Sequence, residues 1–321
     1  MKSLATWQLL QKSLQEKTPA MLLYVLQSNG SSPGRQGFFM AVNAKGEMHG
    51  SLGGGIMEHK FVEMAKAKLK EDVPEISVHN QKHDKLATRN QSGMICSGEQ
   101  TIFIYKLHED DHEHIKHITT SIANHESGSL HLSSSGISFS PAVPEFNYVF
   151  HHTSDEDWKL TEKLGYKHRI HIIGAGHCAL ALSKIMRMMD FYIELYDDRD
   201  GLNTMQQNEF AHKKHLVDDY ASLIELIAEN PDDYVVVMTF GYRSDYIAVW
   251  ALLQKKFRYL GLMGSKSKIE KMFSDYLQEG IDPIILEGIH APIGINIKSQ
   301  TPEEIAISIA AEIIKVKNEN L

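Results

Sequence analysis

The chain has 321 residues, enough for two domains each with its own core. Hydrophobic residues make up 42 % and charged residues 23 %, the balance of a globular protein. The net charge of −8, with acidic residues scattered along the chain, argues against a nucleic-acid partner, which would call for a basic face. Two cysteines, Cys96 and Cys178, form no disulfide framework and fit a reducing cytoplasm. Met1–Lys17 lacks the unbroken apolar core of a signal peptide, and no stretch reaches membrane-spanning length, so no membrane partner is expected.

In chain order, Leu4–Gln15 reads as an amphipathic helix with Leu4, Trp7, Leu10 and Leu14 on one face. Met21–Leu26 has strand character and stops at a loop dense in turn formers, Gln27–Gly37. Phe38–Val42 resumes as a strand, Asn43–Gly46 reads as a hairpin turn, and a glycine-rich segment, Ser51–Gly55, leads into a helix from Ile56 to about Lys70. Glu75–His79 and Gln100–Lys106 are predicted strands, separated in part by the turn-rich Gln91–Gly98. Leu107–Lys116 looks solvated, and its histidines, with His117 and His125, show no ligand spacing. Ser129–Ser140 reads as a hairpin and Asn147–His152 as a strand. The polar Thr153–Lys167 reads as the crossing between domains, giving an N-terminal α+β domain over 1–152, a linker over 153–167 and a C-terminal domain over 168–321.

From Lys167 the pattern alternates strand and helix, which calls for a doubly wound parallel sheet of the Rossmann type. The predicted strands are Arg169–Ile173, Tyr192–Tyr196, His215–Val217, Tyr234–Thr239, Tyr259–Met263 and a sixth at Ile284–Ile289. The helices fall near Ala175–Met189, Tyr220–Ala228, Ser244–Lys255, Ser265–Gln278 and Pro302–Lys317. The last starts on a capping box, Thr301 with Glu304, and has Pro302 in its first turn.

Several segments carry candidate chemistry. Gly174-Ala-Gly176 follows a strand and opens a helix, with Ala179 in the third small position, so amides at that turn are offered to a pyrophosphate. Asp197 and Asp198 end the next strand, roughly twenty residues on, where an acid grips a ribose hydroxyl. His177 lies inside the turn and suits a ligand contact or a structural hydrogen bond. Gly53, Gly54 and Gly55 precede a helix and read either as a seat for a phosphate or as a tight packing turn. Arg35 supplies a positive charge to the same anion or a surface ion pair. Cys96, in a loop, is either a thiolate ligand for a metal or sulfur, or a small buried hydrophobe. His290 stands beside a proline turn, and Met238–Asp245 lies at the carboxyl edge of the sheet.

Taken together, Gly30-Ser-Ser-Pro33 with Arg35, Gly50-Ser-Leu-Gly-Gly-Gly55 with Glu58, Cys96-Ser-Gly98, Gly174-Ala-Gly-His177, Asp197-Asp-Arg199, Gly264-Ser265 with Lys268, His290-Ala-Pro-Ile-Gly294 and Thr301-Pro-Glu-Glu-Ile-Ala306 resemble the XdhC/CoxI family of accessory proteins for molybdenum hydroxylases. The resemblance runs nearly end to end in the family's order. It implies a family-specific N-terminal domain, a C-terminal Rossmann domain, a cytoplasmic location and a tendency to form oligomers such as a homodimer. It further implies binding and protection of the molybdenum cofactor in its molybdopterin form, sulfuration with a cysteine desulfurase, and delivery to an apo-hydroxylase of the xanthine dehydrogenase type. On that footing the glycine-loop amides and Arg35 are expected at a phosphate, Glu58 at pterin nitrogens and Cys96 at the molybdenum or its sulfur. Two departures stand out: Cys96-Ser-Gly98 where the family often has Cys-Gly-Gly, and Thr239-Phe-Gly-Tyr242 where it often has Thr-His-Asp-His, so roles of those histidines do not carry over. The competing reading is an oxidoreductase using NAD(P) on the Rossmann loop; a third is a scaffold that docks hydroxylase and desulfurase without binding cofactor.

Overall fold

The computed structural model describes residues 4–71, 76–82, 98–154 and 156–319, with only the backbone of Gln81 and Lys82. The chain divides into two compact units, Met1–Gly165 and Tyr166–Leu321.

The first unit contains α1 (Leu4–Gln15), β1 (Ala20–Gly30), β2 (Phe39–Asn43), β3 (Met48–Gly50), α2 (Gly55–Lys68), β4 (Ile76–Lys82), β5 (Gly98–Lys106), α3 (His112–Ala123), β6 (Gly128–Ser133), β7 (Gly136–Ser140), β8 (Tyr148–His152) and β9 (Trp158–Leu164). Two antiparallel sheets form, in the orders β3-β2-β1-β5-β4 and β7-β6-β9-β8. The apolar run of β1 is explained by burial on both faces. Leu22, Tyr24 and Leu26 share a core with Phe103, Tyr105, Trp7, Ile118, Leu130 and Trp158. The intervening Met21, Leu23 and Val25 pack with Ile102, Ile104 and, from α2, Met57, Phe61 and Ala65.

One stretch departs from expectation. Within the polar 153–167, Trp158–Leu164 is a strand paired with β6 and β8. Its alternate residues Trp158, Leu160, Glu162 and Leu164 are buried, and Tyr24 donates its hydroxyl to Glu162. A charged residue on the buried face broke the apolar alternation that marks a half-buried strand.

The second unit runs β10 (His168–Ile173), α4 (His177–Met188), β11 (Phe191–Asp197), α5 (Asn203–Gln206), β12 (Lys213–Leu216), α6 (Leu223–Leu226), β13 (Asn230–Val237), α7 (Tyr242–Leu252), β14 (Phe257–Leu262), α8 (Lys266–Gln278), α9 (Pro283–Glu287) and α10 (Pro302–Asn318). The sheet is parallel, in the order β12-β11-β10-β13-β14. Ala179, Leu182 and Met186 of α4 and Ile309 and Ile313 of α10 cover one face; Ala248 and Leu252 of α7 and Met272 and Tyr276 of α8 cover the other. This is the doubly wound arrangement expected. The capping box of α10 forms, Thr301 Oγ1 accepting from the Glu304 amide at 3.2 Å and Glu304 Oε2 from the Thr301 amide at 3.3 Å.

The sixth strand expected at Ile284–Ile289 does not form. Asp282 accepts from the Ile284 amide and Pro283 occupies the first turn, so the segment starts a short helix, α9. A helix-start signature outweighs the β-branched composition. Only His290 makes a parallel bridge to the sheet, at Gly261. Among the described residues, no helix is long and apolar enough to cross a membrane.

Candidate functional site

In the second unit the strand order reverses between β10 and β13, and the crevice at their carboxyl ends is where ligands bind in such folds. Gly174, at φ +99°, turns the chain out of β10 against the end of β13: a Cβ there would lie 2.3 Å from the Met238 carbonyl oxygen. Gly176 differs. It caps α4 at φ −73°, and a Cβ would meet nothing within 4 Å. His177, the first residue of α4, is exposed, and its ring makes no hydrogen bond among the described residues. α4 has no side-chain N-cap, so its first-turn amides are left without a capping partner, an arrangement suited to an anion.

Asp197, expected at a ribose hydroxyl, turns its carboxylate into the protein instead. Its side chain is fully buried; Oδ2 accepts from the Ala175 amide at 2.6 Å and Arg199 Nη2 at 2.7 Å, while Oδ1 accepts from the Arg199 amide at 3.0 Å and its Nε at 2.8 Å. Burial pushes this carboxyl up, but the Arg199 guanidinium and the two amides outweigh it and hold it below the usual range. Asp197 thus braces the glycine turn from within. Asp198 is the exposed acid at that strand end, its amide donating to Tyr220 Oη at 3.4 Å.

Across the crevice, Thr239-Phe240-Gly241 leaves β13. Thr239 donates its amide (2.8 Å) and its hydroxyl (2.6 Å) to Asp245 Oδ1, and Lys268 pairs with the other oxygen of that buried carboxylate. This ties the starts of α7 and α8 to the sheet edge. Phe240 stands 88 % exposed, with the Arg199 guanidinium 5.7 Å from its ring centre. The sequence pointed to their segments, Asp197–Arg199 and Met238–Asp245, but to neither residue individually; the signal was an arginine two positions after a strand-end acid and an aromatic residue at a polar sheet edge. A Cβ on Gly241 would also meet nothing within 4 Å, so both lips of the crevice are open backbone.

His290 lies elsewhere on the sheet, beside β14. Its ring stacks on Tyr259 at 4.4 Å, and Nδ1 is 3.4 Å from Glu312 Oε1. Glu312 also accepts from Tyr259 Oη at 2.5 Å and the Gly294 amide at 2.7 Å, so His290 belongs to a cluster that fastens 290–294 to α10. Cys178 is half-buried, and burial pushes its thiol up, with Glu303 adding to the shift.

In the first unit, two glycine-bearing loops meet. A Cβ on Gly34 would lie 1.9 Å from the Leu52 carbonyl oxygen, and one on Gly53 2.2 Å from the Gly34 amide nitrogen. Gln100 Nε2 donates to the Gly34 carbonyl at 2.7 Å, and Gly98 lies under Ser31, where a Cβ would be 2.5 Å from its carbonyl oxygen. The amides released at the triple glycine are partly occupied by the chain itself. Glu58 Oε2 accepts from Ser51 Oγ at 2.7 Å, the Leu52 amide at 2.8 Å and the Gly54 amide at 3.0 Å. Burial raises the Glu58 carboxyl, but these donors hold it below the usual range. Gly54 itself borders open space, and Gly55 starts α2. Arg35 is exposed, its Nη1 donating to the Gly30 carbonyl at 3.0 Å. The structure therefore gathers Arg35, Gly53, Gly54, Gly55 and Glu58 around two touching loops. Cys96 lies outside the described residues.

Residues 170–313 match the family described as the XdhC Rossmann domain, and residues 13–79 match the XdhC and CoxI family. Over 307 residues the chain is 25 % identical to "Uncharacterized protein YqeB" of Escherichia coli (strain K12), covering 95 % of this chain but only 44 % of that protein, so it spans less than half of that relative's length. It is 23 % identical over 326 residues to a protein of Bacillus subtilis (strain 168) described as a probable xanthine dehydrogenase subunit, covering 95 % of each. Among solved structures, one described as a xanthine dehydrogenase from Bacillus halodurans shares the fold, with a TM-score of 0.72 at 24 % identity over 100 % of this chain and 97 % of that one.

Proposed function

The chain belongs to the XdhC and CoxI family, and on that premise we propose that it is a maturation factor for a molybdenum hydroxylase of the xanthine dehydrogenase type, binding the molybdenum cofactor, shielding it and passing it to the apo-enzyme. The observation that carries this reading is the extent of kinship: matches fall in both units, and the Bacillus subtilis relative, whose name ties it to xanthine dehydrogenase, is covered over 95 % of both chains.

The chemistry of the residues fits a phosphate-bearing guest. At the Rossmann crevice, open backbone at Gly176 and Gly241 lets a phosphate approach the α4 amides, with His177, Asp198, Arg199 and Phe240 around the opening. In the first unit, the start of α2 after Gly54 and Gly55, with Arg35 on the neighbouring loop, offers a second anion site. Glu58 is better suited to organising that site than to contacting a pterin, because its carboxylate already holds the loop. When bound, the cofactor supplies a sulfur-ligated molybdenum; Cys96 is the residue we assign to that end, and a cysteine desulfurase is the expected source of the sulfur. A homodimer is the expected assembly.

The test is retention and transfer. The full chain is purified after incubation with molybdopterin-type cofactor, the bound pterin is read by its oxidised fluorescence, and the loaded protein is mixed with apo-hydroxylase. Retention at about one per chain and recovery of xanthine oxidation are expected. No retention and no recovery would overturn the reading.

One observation favours the NAD(P) alternative: Asp198 and Arg199 stand at the end of β11, where a ribose and its 2′-phosphate are held in dinucleotide enzymes. A thermal-shift titration with NAD, NADP, AMP and CMP separates the two readings. A selective NAD or NADP shift accompanied by turnover would install the oxidoreductase in place of the carrier.

A further inference from the structure

Tyr242, Tyr246 and Trp250 fall one turn apart along α7, and their rings form a ladder with centroids 6.2 Å apart at each step and interplanar angles of 29° and 11°. Tyr276 of α8 packs against the upper rungs, 4.5 Å from Tyr246 and 5.7 Å from Trp250. The ladder is not sealed: Trp250 is 41 % exposed, whereas Trp7 and Trp158 are buried. A surface groove of about 410 Å³ lies between the two helices, lined by Tyr242, Arg243, Tyr246, Asp275, Gln278 and Glu279.

The two tyrosine rungs each hold a carboxylate on the hydroxyl. Tyr242 Oη donates to Asp275 Oδ2 at 2.5 Å, and Tyr246 Oη to Glu279 Oε1 at 2.8 Å. Both pairs span 33 residues, so the second station repeats the first one turn further along α7 and α8. At the first station the protein supplies its own cation. Lys271 Nζ lies over the Tyr242 ring, 5.3 Å from the centroid, and 2.9 Å from Asp275 Oδ2. Lys271 precedes Asp275 by one turn; the residue one turn before Glu279 is Asp275 itself, which is an acid. The second station therefore has ring and carboxylate without the cation, and Glu279 Oε2 has no partner among the described residues. Arg243 lines the groove, but its guanidinium pairs with neither carboxylate.

A cation set against an aromatic ring and a carboxylate is attracted by both. Half-exposed Trp and Tyr are also the residues that anchor protein interfaces, with Arg as their frequent counterpart. We propose that the station formed by Tyr246, Trp250 and Glu279 receives an arginine side chain presented by a partner protein. Arginine suits it better than lysine, because a guanidinium is less tightly hydrated than an ammonium and its plane lies against aromatic rings while its edge donates to the carboxylate. The net charge of −8 draws a basic partner surface toward the chain. The station is built wholly within the second unit and needs no cofactor.

The full chain is titrated with a short alanine–arginine peptide capped at both ends, with the same peptide carrying citrulline, the neutral isostere, and with a lysine version. Trp250 emission reports binding, and Trp250→Phe identifies its share of the signal. A saturable change is expected with the arginine peptide, a weaker one with lysine and none with citrulline. Glu279→Gln should weaken the arginine peptide about threefold, and Glu279→Lys should abolish the response. Both should leave circular dichroism and Tm unchanged, since the side chain is exposed. Glu209→Gln, an exposed acid in the segment that packs on the α4 face of the sheet, should change nothing. Arg243→Ala should bind the peptide as well or better, since it removes a competing cation. No saturable response, or equal binding of the citrulline peptide, overturns the station, and lysine binding as tightly as arginine overturns the choice of arginine. Equal weakening by Glu279→Gln and Glu209→Gln would reduce the effect to net charge and overturn the site. Weaker binding by Arg243→Ala would mean that the groove takes an anionic group, which also overturns it.

Discussion

Gly53 and Gly34 touch backbone to backbone: the space a Cβ would need on Gly53 is filled by the Gly34 amide nitrogen, 2.2 Å away. Glycines that read as an anion seat are thus in part glycines that let two loops close on each other. Gly98, against Ser31, brings a third segment to the same place. A ligand site and a packing site draw on the same residue type for the same reason, close approach of main chain.

Gly34→Ala should therefore destabilise the first unit. A Cβ would overlap the Leu52 carbonyl at 1.9 Å, and overpacking against main chain costs about 1–3 kcal/mol. Urea unfolding followed by Trp fluorescence reads the shift; an unchanged midpoint would show that the loops separate freely.

The two glycines of the Rossmann turn should separate stability from binding. Gly174→Ala places a Cβ 2.3 Å from the Met238 oxygen at φ +99°, and a loss of about 2–3 kcal/mol is expected. Gly176→Ala has space and a φ of −73°, so stability should hold or rise by about 0.5 kcal/mol. The added methyl would project into the open space beside Gly176, and phosphate-dependent binding of cofactor or nucleotide should fall. Melting curves with and without ligand check both halves.

The brace at Asp197 makes a pH-dependent prediction. Its folded pKa is depressed, so its contribution is fully present above the ordinary carboxylate value near 4 and is lost as pH falls through the lower folded value. Asp197→Asn should cost about 1–3 kcal/mol at pH 7, since Arg199 loses a charged partner. The difference between wild type and variant should stay flat from pH 7 to about pH 5 and shrink below about pH 4. Denaturant titrations across that range decide it; a gap as wide at pH 3 as at pH 7 would deny the carboxylate this role.

Lys268→Met removes the countercharge of the fully buried Asp245, leaving only the two Thr239 donors. A loss of about 3 kcal/mol is expected, at the lower end for a broken buried pair because Lys268 is a quarter exposed. Adding Asp245→Asn should recover part of it. A double-mutant cycle by chemical denaturation gives the coupling, and strict additivity would mean the two do not act as a pair.

Much of the fold was legible in the chain. The strands of the second unit, the helices that alternate with them and the capping box of α10 are local signals: apolar period, glycine turn, cap. The errors also have local causes. Ile284–Ile289 carried β-branched residues over a helix start, and β9 hid behind Glu162, a buried acid that takes the hydroxyl of Tyr24, far away in sequence.

The site was less legible. Which residues carry it depends on partners that no window contains. Asp197 reaches the Ala175 amide 22 residues back, Gln100 holds Gly34 across 66, and Glu58 takes loop amides that the glycines alone would offer an outside anion. By itself the sequence determined the order of elements, the glycine turns and the kinship, because periodicity and turn chemistry act between near neighbours. Tertiary structure alone decided which glycines are packed and which are open, and which acid is buried and which faces solvent, because burial and hydrogen-bond partnership are set by segments that meet only when the chain folds.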